Sequence, residues 1–361
     1  MAETATEPMP DELSPRRLRR RLLEIALVVA LVVVVVLVGP GLGSLRHQLE
    51  RANAAWLGAA VALELLSALS YVVIFRAVFC ARMSWRLSYQ IGMAEQAANS
   101  VLPVSGAGGL ALGIWALRRG GMSTEHIGRR TVAFFFLTSM ANVGAVIVFA
   151  LLYLVGALGG DRDPALTYTF GILAVLATAI VLAFPALLGG GARRPEPARH
   201  AGRLSRAAAF LRYSLAQGVR DGLLLLRRRS TGVLVGSLGT LAFDLAVLGA
   251  TFAAFGHSPP LGVLVLGYLI GQLGGNLPLP GGLGGVDGGL IGTFALYHQP
   301  LAATTAAVLV YHAIALWVPA SLGSVAFVQL RRTLERDDQP AAVCEPLSDP
   351  IDPAPRAALA G

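Results

Sequence analysis

Long apolar stretches without charged residues are the feature that most limits how this chain can fold. Each is about 17 to 27 residues long, and a bilayer core about 30 Å thick needs about 20 apolar residues per helix. Only 14% of the residues are charged, against about 25% in soluble domains. The sequence therefore predicts a polytopic α-helical membrane protein and excludes a soluble enzyme, a coiled coil and a disulfide scaffold. We predict full spans at 22–38, 53–79, 131–157, 165–188, 232–255 and 304–330.

The arginines indicate how these spans are oriented. All 29 basic residues are arginine, and 25 of them fall in segments that can share one side of the membrane. The positive-inside rule places those segments, and with them both termini, in the cytosol. A basic chain can also bind nucleic acid, but no basic surface interleaved with aromatic residues is present, so no nucleic-acid partner is expected. The predicted cytosolic segments are 1–21, 80–87, 118–130, 189–230 and 331–361.

Two further apolar stretches, 88–117 and 261–298, are rich in glycine and proline. Arginines flank the first at both ends, so it must enter and leave from the cytosolic side. The span after the second stretch must end in the cytosol, at Arg331, so the second stretch must enter and leave from the outer side. The predicted fold is all-α, with six full transmembrane helices and two re-entrant hairpins, which are tolerated where protein or water satisfies their backbone. The alternative is that each hairpin is two full helices, giving eight or more spans.

The two hairpin sequences resemble each other. Each has a glutamine, then an asparagine, then Leu-Pro-x-x-Gly and a glycine pair, starting at Gln96 and at Gln272. Because the two halves start on opposite sides of the membrane, they form an inverted repeat. Interrupted segments at matching positions of two halves indicate a midplane binding site in transporters. The alternative is that these glycines and prolines serve only close helix packing.

Breaks within the hairpins predict an anion site. The N-terminus of a half-helix carries about half a positive charge and free N–H groups, which suit a phosphate. A run of glycines would let the backbone amides approach a headgroup closely. The candidate lipid- or substrate-binding residues are Asn99, Pro103, Gly106, Gly109, Asn276, Pro278, Pro280, Gly281, Gly282, Gly284 and Asp287.

Ionisable residues within the apolar zones are functional candidates, because charges in a membrane are costly and face a cavity or a partner. Glu64, Glu95 and Asp244 are the candidates for charge coupling, and Glu64 and Asp244 could bind protons or pair with Arg76. Arg76 could instead extend to the cytosolic interface. His298 is predicted at the outer interface and His312 as a hydrogen-bonded histidine of the bundle. No catalytic motif or metal-ligand spacing appears, so we expect neither an enzyme nor a metal or cofactor.

The chain divides into three regions. Residues 1–21 are predicted to be a disordered, basic, cytosolic N-terminus, 22–335 a transmembrane domain, and 336–361 a disordered tail. The arginine-rich loop 189–230 carries leucines near helical spacing. It is either an interfacial helix on anionic lipid or an ordinary loop that sets topology.

The run from Asn276 to Asp287 combines with later residues into a recognisable pattern. It reads Pro-x-Pro-Gly-Gly-Leu-Gly-x-x-Asp and is followed by Tyr311-His312 and by an arginine pair at 331–332. This resembles the lysylphosphatidylglycerol synthase transmembrane region, also called the flippase-like integral membrane family, over about residues 20–335. The Asn99–Pro103 segment is similar to the family's first motif. The resemblance adds Tyr311 to the candidate binding residues.

Two departures from the family pattern bear on the site. Asp287 stands where the family commonly has glutamate, and Leu110, Ala111 and Leu112 occupy the region where an acid and an arginine are common. The 361 residues contain no soluble aminoacyltransferase domain, so the resemblance implies lipid handling without synthesis. We therefore expect a multi-pass protein of the bacterial plasma membrane that binds or translocates a phospholipid or a polyprenyl-phosphate-linked lipid. Two alternatives are a proton-coupled transporter of a small polar solute and a non-catalytic membrane partner of a lipid-modifying or glycosyl transferase.

Overall fold

The computed structural model describes residues 47, 49–101, 107–155, 203–274 and 284–336, together with isolated positions between 168 and 183. The regular structure over these ranges is helical. The helices are α1 (Ala54–Phe79), α2 (Trp85–Val101), α3 (Ala107–Arg119), α4 (Thr124–Leu154), α5 (Arg203–Arg227), α6 (Thr231–Ala254), α7 (Leu261–Gly274), α8 (Gly285–Leu296) and α9 (Leu301–Arg336).

Four helices, α1, α4, α6 and α9, are long and apolar enough to cross a membrane. They coincide with four of the six predicted spans, which confirms an all-α polytopic membrane protein. Large apolar side chains such as Leu69 and Val235 are exposed on their outer faces, as lipid-facing residues are expected to be. The predicted span at 22–38 lies outside the described residues. In the span predicted at 165–188, the described positions are helical.

Both α4 and α9 are longer than the apolar stretches that predicted them. Helix α4 begins seven residues earlier, at Thr124, and thereby includes Arg129 and Arg130; α9 continues through Arg331 and Arg332. Arginine is a good helix former, so the helix has no local reason to stop where the apolar stretch stops. The charged turns extend these helices beyond the apolar segment on the side predicted to be cytosolic.

Short helices occupy the two segments predicted as hairpins. Helices α2, α3, α7 and α8 have 17, 13, 14 and 12 residues, which at 1.5 Å per residue gives about 18 to 26 Å. Each is shorter than a bilayer core about 30 Å thick. Helix α2 packs on α3, and α7 packs on α8. The connections between them, 102–106 and 275–283, lie outside the described residues.

Glycines set the spacing of the second pair, α7 and α8. A Cβ added at Gly289 would lie 3.1 Å from the Cα of Gly271, and one added at Gly274 would overlap the backbone of Gly285. Only glycine on both helices lets the two backbones approach this closely. The close-packing role that the sequence left open for these glycines is therefore present, at least in the arms of this hairpin.

Equivalent helices of the two halves pack antiparallel on each other. At one end of the α1–α6 pair the backbone N–H of Asn53 donates to the carbonyl of Ala254 at 2.8 Å. Farther along, Ser67 donates to the carbonyl of Thr240 at 3.4 Å. The α2–α3 hairpin packs on α9 through α2, and the α7–α8 hairpin contacts α4 through α7 and α9 through α8. Antiparallel packing of equivalent helices is the arrangement that an inverted repeat requires.

Helix α5 lies within the loop that the sequence predicted as arginine-rich, and it packs alongside the first half of α4. The Arg129 guanidinium donates to both carboxylate oxygens of Asp221, at 2.8 to 3.1 Å. A second bond joins the hydroxyl of Tyr213 to Glu125 at 2.9 Å. Leu211 and Arg212 are exposed on the outer face. The segment is thus a helix docked on the bundle that also keeps a mixed apolar and basic face.

We expect Asp221→Asn to loosen α5, because it removes one partner of a buried, bidentate ion pair. Breaking such a pair costs about 3 kcal/mol or more. Limited proteolysis in detergent should cleave the 203–227 segment faster than in wild type. Glu125→Gln is the matched control, since its side-chain oxygen can still accept from Tyr213. Equal cleavage rates for Asp221→Asn and wild type would show that the ion pair does not hold the helix.

Candidate functional site at the axis between the two halves

Glu64 and Asp244 lie at the same level of the antiparallel α1–α6 pair. The contacts of Ser67 with Thr240 and of Ser70 with Gly239 fix the register, and that register places residue 64 of α1 level with residue 244 of α6. The Glu64 side chain is 4% exposed, while Asp244 is partly buried. We call these two residues the axial acid pair. The sequence predicted both as charge-coupling residues, and the fold brings them to one level.

Two tyrosines from the second half hold Asp244. Tyr268 of α7 donates its hydroxyl to Oδ2 of Asp244 at 2.5 Å, and Tyr311 of α9 approaches the same oxygen at 3.4 Å. Both tyrosines are almost fully buried. Gln272, the glutamine of the second hairpin sequence, hydrogen-bonds Tyr268. The hairpin is thereby connected through one side chain to the acid on the central helix pair.

The first half repeats this connection with the roles exchanged. Tyr71 of α1 donates to Oε2 of Glu95 on α2 at 2.9 Å, and the two residues are 24 apart in sequence, as are Asp244 and Tyr268. In the first half the tyrosine is on the long helix and the acid on the hairpin; in the second half the reverse holds. Each hairpin is therefore tied to its preceding long helix by one tyrosine–carboxyl hydrogen bond. Glu95 is buried.

Asn99 and Gly109 contact each other across the first hairpin. The Gly109 N–H donates to Oδ1 of Asn99 at 2.7 Å, and a Cβ at Gly109 would lie 2.5 Å from that oxygen. Glycine is needed at this position because the amide side chain occupies the space beside the backbone. These two predicted site residues brace α2 against α3, and the Asn99 oxygen is used within the protein.

Asp287 lies at the N-terminus of α8 and is 9% exposed. Its Oδ2 accepts from the N–H of Gly284 at 2.9 Å, and its Oδ1 lies 2.7 Å from Nδ1 of His312 on α9. Gly284 has φ +83°, a conformation that favours glycine. The carboxylate occupies this helix end, so the Gly284 amide, one donor of the predicted phosphate site, is already bonded to Asp287. His312 is a hydrogen-bonded residue of the bundle, as predicted.

The chain matches one known protein family. Residues 21–323 match the family described as Lysylphosphatidylglycerol synthase TM region. The chain belongs to this family. The match confirms the suspected family, which the sequence predicted to cover about residues 20–335. No curated protein and no solved structure matches the chain. Membership identifies a multi-pass membrane protein in a family linked to lipid handling.

Several residues that carry the family resemblance lie outside the described part of the structure. Among the described ones, Gly284 and Asp287 belong to the second hairpin, and Tyr311 approaches Asp244 of the axial acid pair. The predicted site residues outside the described ranges are Pro103, Gly106, Asn276, Pro278, Pro280, Gly281 and Gly282.

Other ionisable residues lie away from the axis. Arg76, in the last turn of α1, donates from Nε to the carbonyl of Met83 at 2.7 Å, and its guanidinium lies 4.4 Å from the Trp85 ring centre. Its contacts are at the helix end and not with Glu64 or Asp244. His298 is exposed between α8 and α9. In the described ranges no group of three or more histidine, cysteine or acidic side chains could hold a metal ion.

Sequence reasoning missed Tyr71 and Tyr268. Both are polar hydroxyls within otherwise apolar helices, and each is 24 residues from an acid. That common spacing, compared between the two halves, is the signal that could have found them. Tyrosine is common in membrane proteins for other reasons, so its presence alone did not point to the site.

Proposed function

We propose that this protein binds or translocates a phospholipid or a polyprenyl-phosphate-linked lipid across the bacterial plasma membrane. The observation that carries the proposal is the pair of short-helix hairpins, each tied by a tyrosine–carboxyl bond to the long helices at the axis. Helices too short to cross a bilayer, with buried polar groups at their contact with the bundle, suit a path for a polar headgroup. The family adds the link to lipids.

The proposed lipid path has an acidic part and a part that suits an anion. The described bundle interior contributes Glu64, Glu95, Asp244 and Asp287, so it repels a phosphate unless these acids are neutralised. A phosphate would instead meet the glycine N–H groups of the hairpin connections. The buried acids suit protons or the cationic part of a headgroup.

Orientation, partners and the lack of catalysis complete the proposal. The α2–α3 hairpin begins beside Arg82 and Arg86 and ends at Arg118 and Arg119, which supports placing both of its ends, and both termini, in the cytosol. Membrane lipids are the proposed ligands, and a lipid-modifying or glycosyl transferase is a proposed protein partner, with the outer face of α5 as its docking surface. The protein itself is proposed to carry out no chemical reaction.

The proposal is tested in proteoliposomes containing phosphatidylglycerol with a fluorophore on one acyl chain. Wild type should move the probe between leaflets, so that an impermeant quencher added outside removes more than the outer half of the fluorescence. Asp287→Asn and Pro280→Ala should reduce the rate to that of protein-free vesicles, because both change the second hairpin. Ser321→Ala, an exposed position on α9, should transport like wild type.

Two outcomes would contradict the proposal. One is a wild-type rate equal to that of protein-free vesicles for both this probe and a labelled polyprenyl phosphate, with no binding of either. The other is wild-type activity in both hairpin variants. Gel filtration of each variant establishes that any loss of transport is not a loss of folding.

A further inference from the structure

The axial acid pair brings two carboxyl groups to one level of a membrane bundle. Two ionised carboxylates at such a place repel each other, and each loses hydration. The titratable groups that face the pair are Tyr268 from α7 and Tyr311 from α9. A neutral hydroxyl supplies hydrogen bonds but no positive charge, so these neighbours do not neutralise two negative charges.

Charged residues on the other helices that pack near the axial acid pair contact other partners or lie far from it. Glu95 of α2 is bonded to Tyr71, and Arg76 of α1 contacts Met83 and Trp85 at the helix end. Helix α4 carries its charged residues, from Glu125 to Arg130, in its first two turns. His312 of α9 is bonded to Asp287. Within the described ranges, therefore, no basic side chain contacts the pair to balance its charge.

The two carboxyls have unequal partners. One oxygen of Asp244 accepts a hydrogen bond from Tyr268 and is approached by the Tyr311 hydroxyl, so this oxygen has donors within the fold. Glu64 is 4% exposed, and its Oε2 is buried without a hydrogen-bond partner. An ionised oxygen in that position would be strongly disfavoured, whereas a protonated carboxyl is neutral. The unpartnered oxygen is a second, independent feature that points to a bound proton.

We propose that Glu64 and Asp244 form a proton-binding site, with a single proton on Glu64 and the negative charge on Asp244. The proton enters from water, forms an O–H bond at the Glu64 carboxylate and leaves as the same proton, so no other reactant is needed. The site lies on the α1–α6 pair, where equivalent helices of the two halves meet, and would be exposed to either side if the halves rock. Coupling of this proton to lipid movement rests on the proposed function; the proton site does not.

Infrared spectroscopy of the full chain in vesicles at neutral pH tests the site. A protonated carboxylic acid gives a C=O absorption that shifts in heavy water. Glu64→Gln should lose the absorbance of one such group, whereas Asp244→Asn should keep it, because the proton is on Glu64. Ser67→Ala, one turn away on α1, is the matched control and should leave the absorbance unchanged.

A second measurement avoids changing the pair. Protein carrying Glu95→Gln and 13C-labelled glutamate should still show one labelled carboxylic acid, which Glu64 supplies. Identical spectra for wild type and Glu64→Gln, or no labelled carboxylic acid in the glutamate-labelled protein, would overturn the proposal. Because neither measurement involves transport, its result is independent of whether the lipid assay succeeds.

Discussion

Gly236→Leu is expected to leave little or no folded protein, because it separates the two central helices. A Cβ at Gly236 would lie 2.6 Å from both the backbone nitrogen and the Cβ of Ile74 on α1. No rotamer of a larger side chain relieves an overlap that already involves backbone. Alanine here should cost about 1–3 kcal/mol, and leucine more than about 4 kcal/mol. Gel filtration and thermal unfolding in detergent measure the effect.

Gly58→Leu is the matched control for this substitution. Gly58 lies on α1, the other helix of the same pair, and nothing comes within 4 Å of a Cβ built there. It should elute and unfold like wild type. If Gly236→Leu also elutes as a single folded species with an unchanged unfolding temperature, the close α1–α6 contact is not what holds the halves together.

His312→Leu is expected to destabilise the protein by about 1–3 kcal/mol, the usual result of leaving a buried polar group without its hydrogen-bond partner. The Asp287 carboxylate would keep its bond from Gly284 but lose the imidazole at 2.7 Å. Asp287→Asn alone should cost less, since the amide oxygen of asparagine can still accept a hydrogen bond. Unfolding by denaturant, measured in detergent, gives the free energies.

The double variant Asp287→Asn/His312→Leu separates charge from packing. It replaces the carboxyl group that His312→Leu leaves without its imidazole partner, so it should be more stable than His312→Leu alone. This is a non-additive effect, as expected for side chains in contact. Strict additivity of the two single changes would show that the aspartate and histidine do not stabilise each other.

The sequence predicted which acids form the site, but not which side chains hydrogen-bond to them. The two stretches with matching Gln, Asn and Leu-Pro patterns do form pairs of short helices, as the glycine and proline clustered in each stretch predicted. Glu64, Glu95, Asp244 and Asp287 stood out because a charge in an apolar stretch is costly. The partner of each acid was not predictable in the same way. Tyr71, Tyr268 and His312 reach their acids only through helix packing.

Asn99 and Gly284 were assigned a role from their local sequence that differs from their role in the folded protein. Both were predicted as ligand-binding residues, since amides and glycine N–H groups at a helix break can bind an anion. In the folded chain the Asn99 oxygen accepts from Gly109, and the Gly284 N–H donates to Asp287. A backbone group in a membrane must find a partner, and here a side chain of the same hairpin supplies it.

Apolar length, arginine placement and the repeated Gly/Pro stretches by themselves determined the class of protein, the described long helices and the short helices of the two hairpins. These are properties of consecutive residues, and the bilayer thickness and helix geometry translate them directly into structure. Only the tertiary structure decided that α1 packs antiparallel on α6, that Glu64 lies level with Asp244, and that α5 docks on α4 through Asp221. Those contacts join residues far apart in sequence, and they depend on where glycine permits two helix backbones to approach.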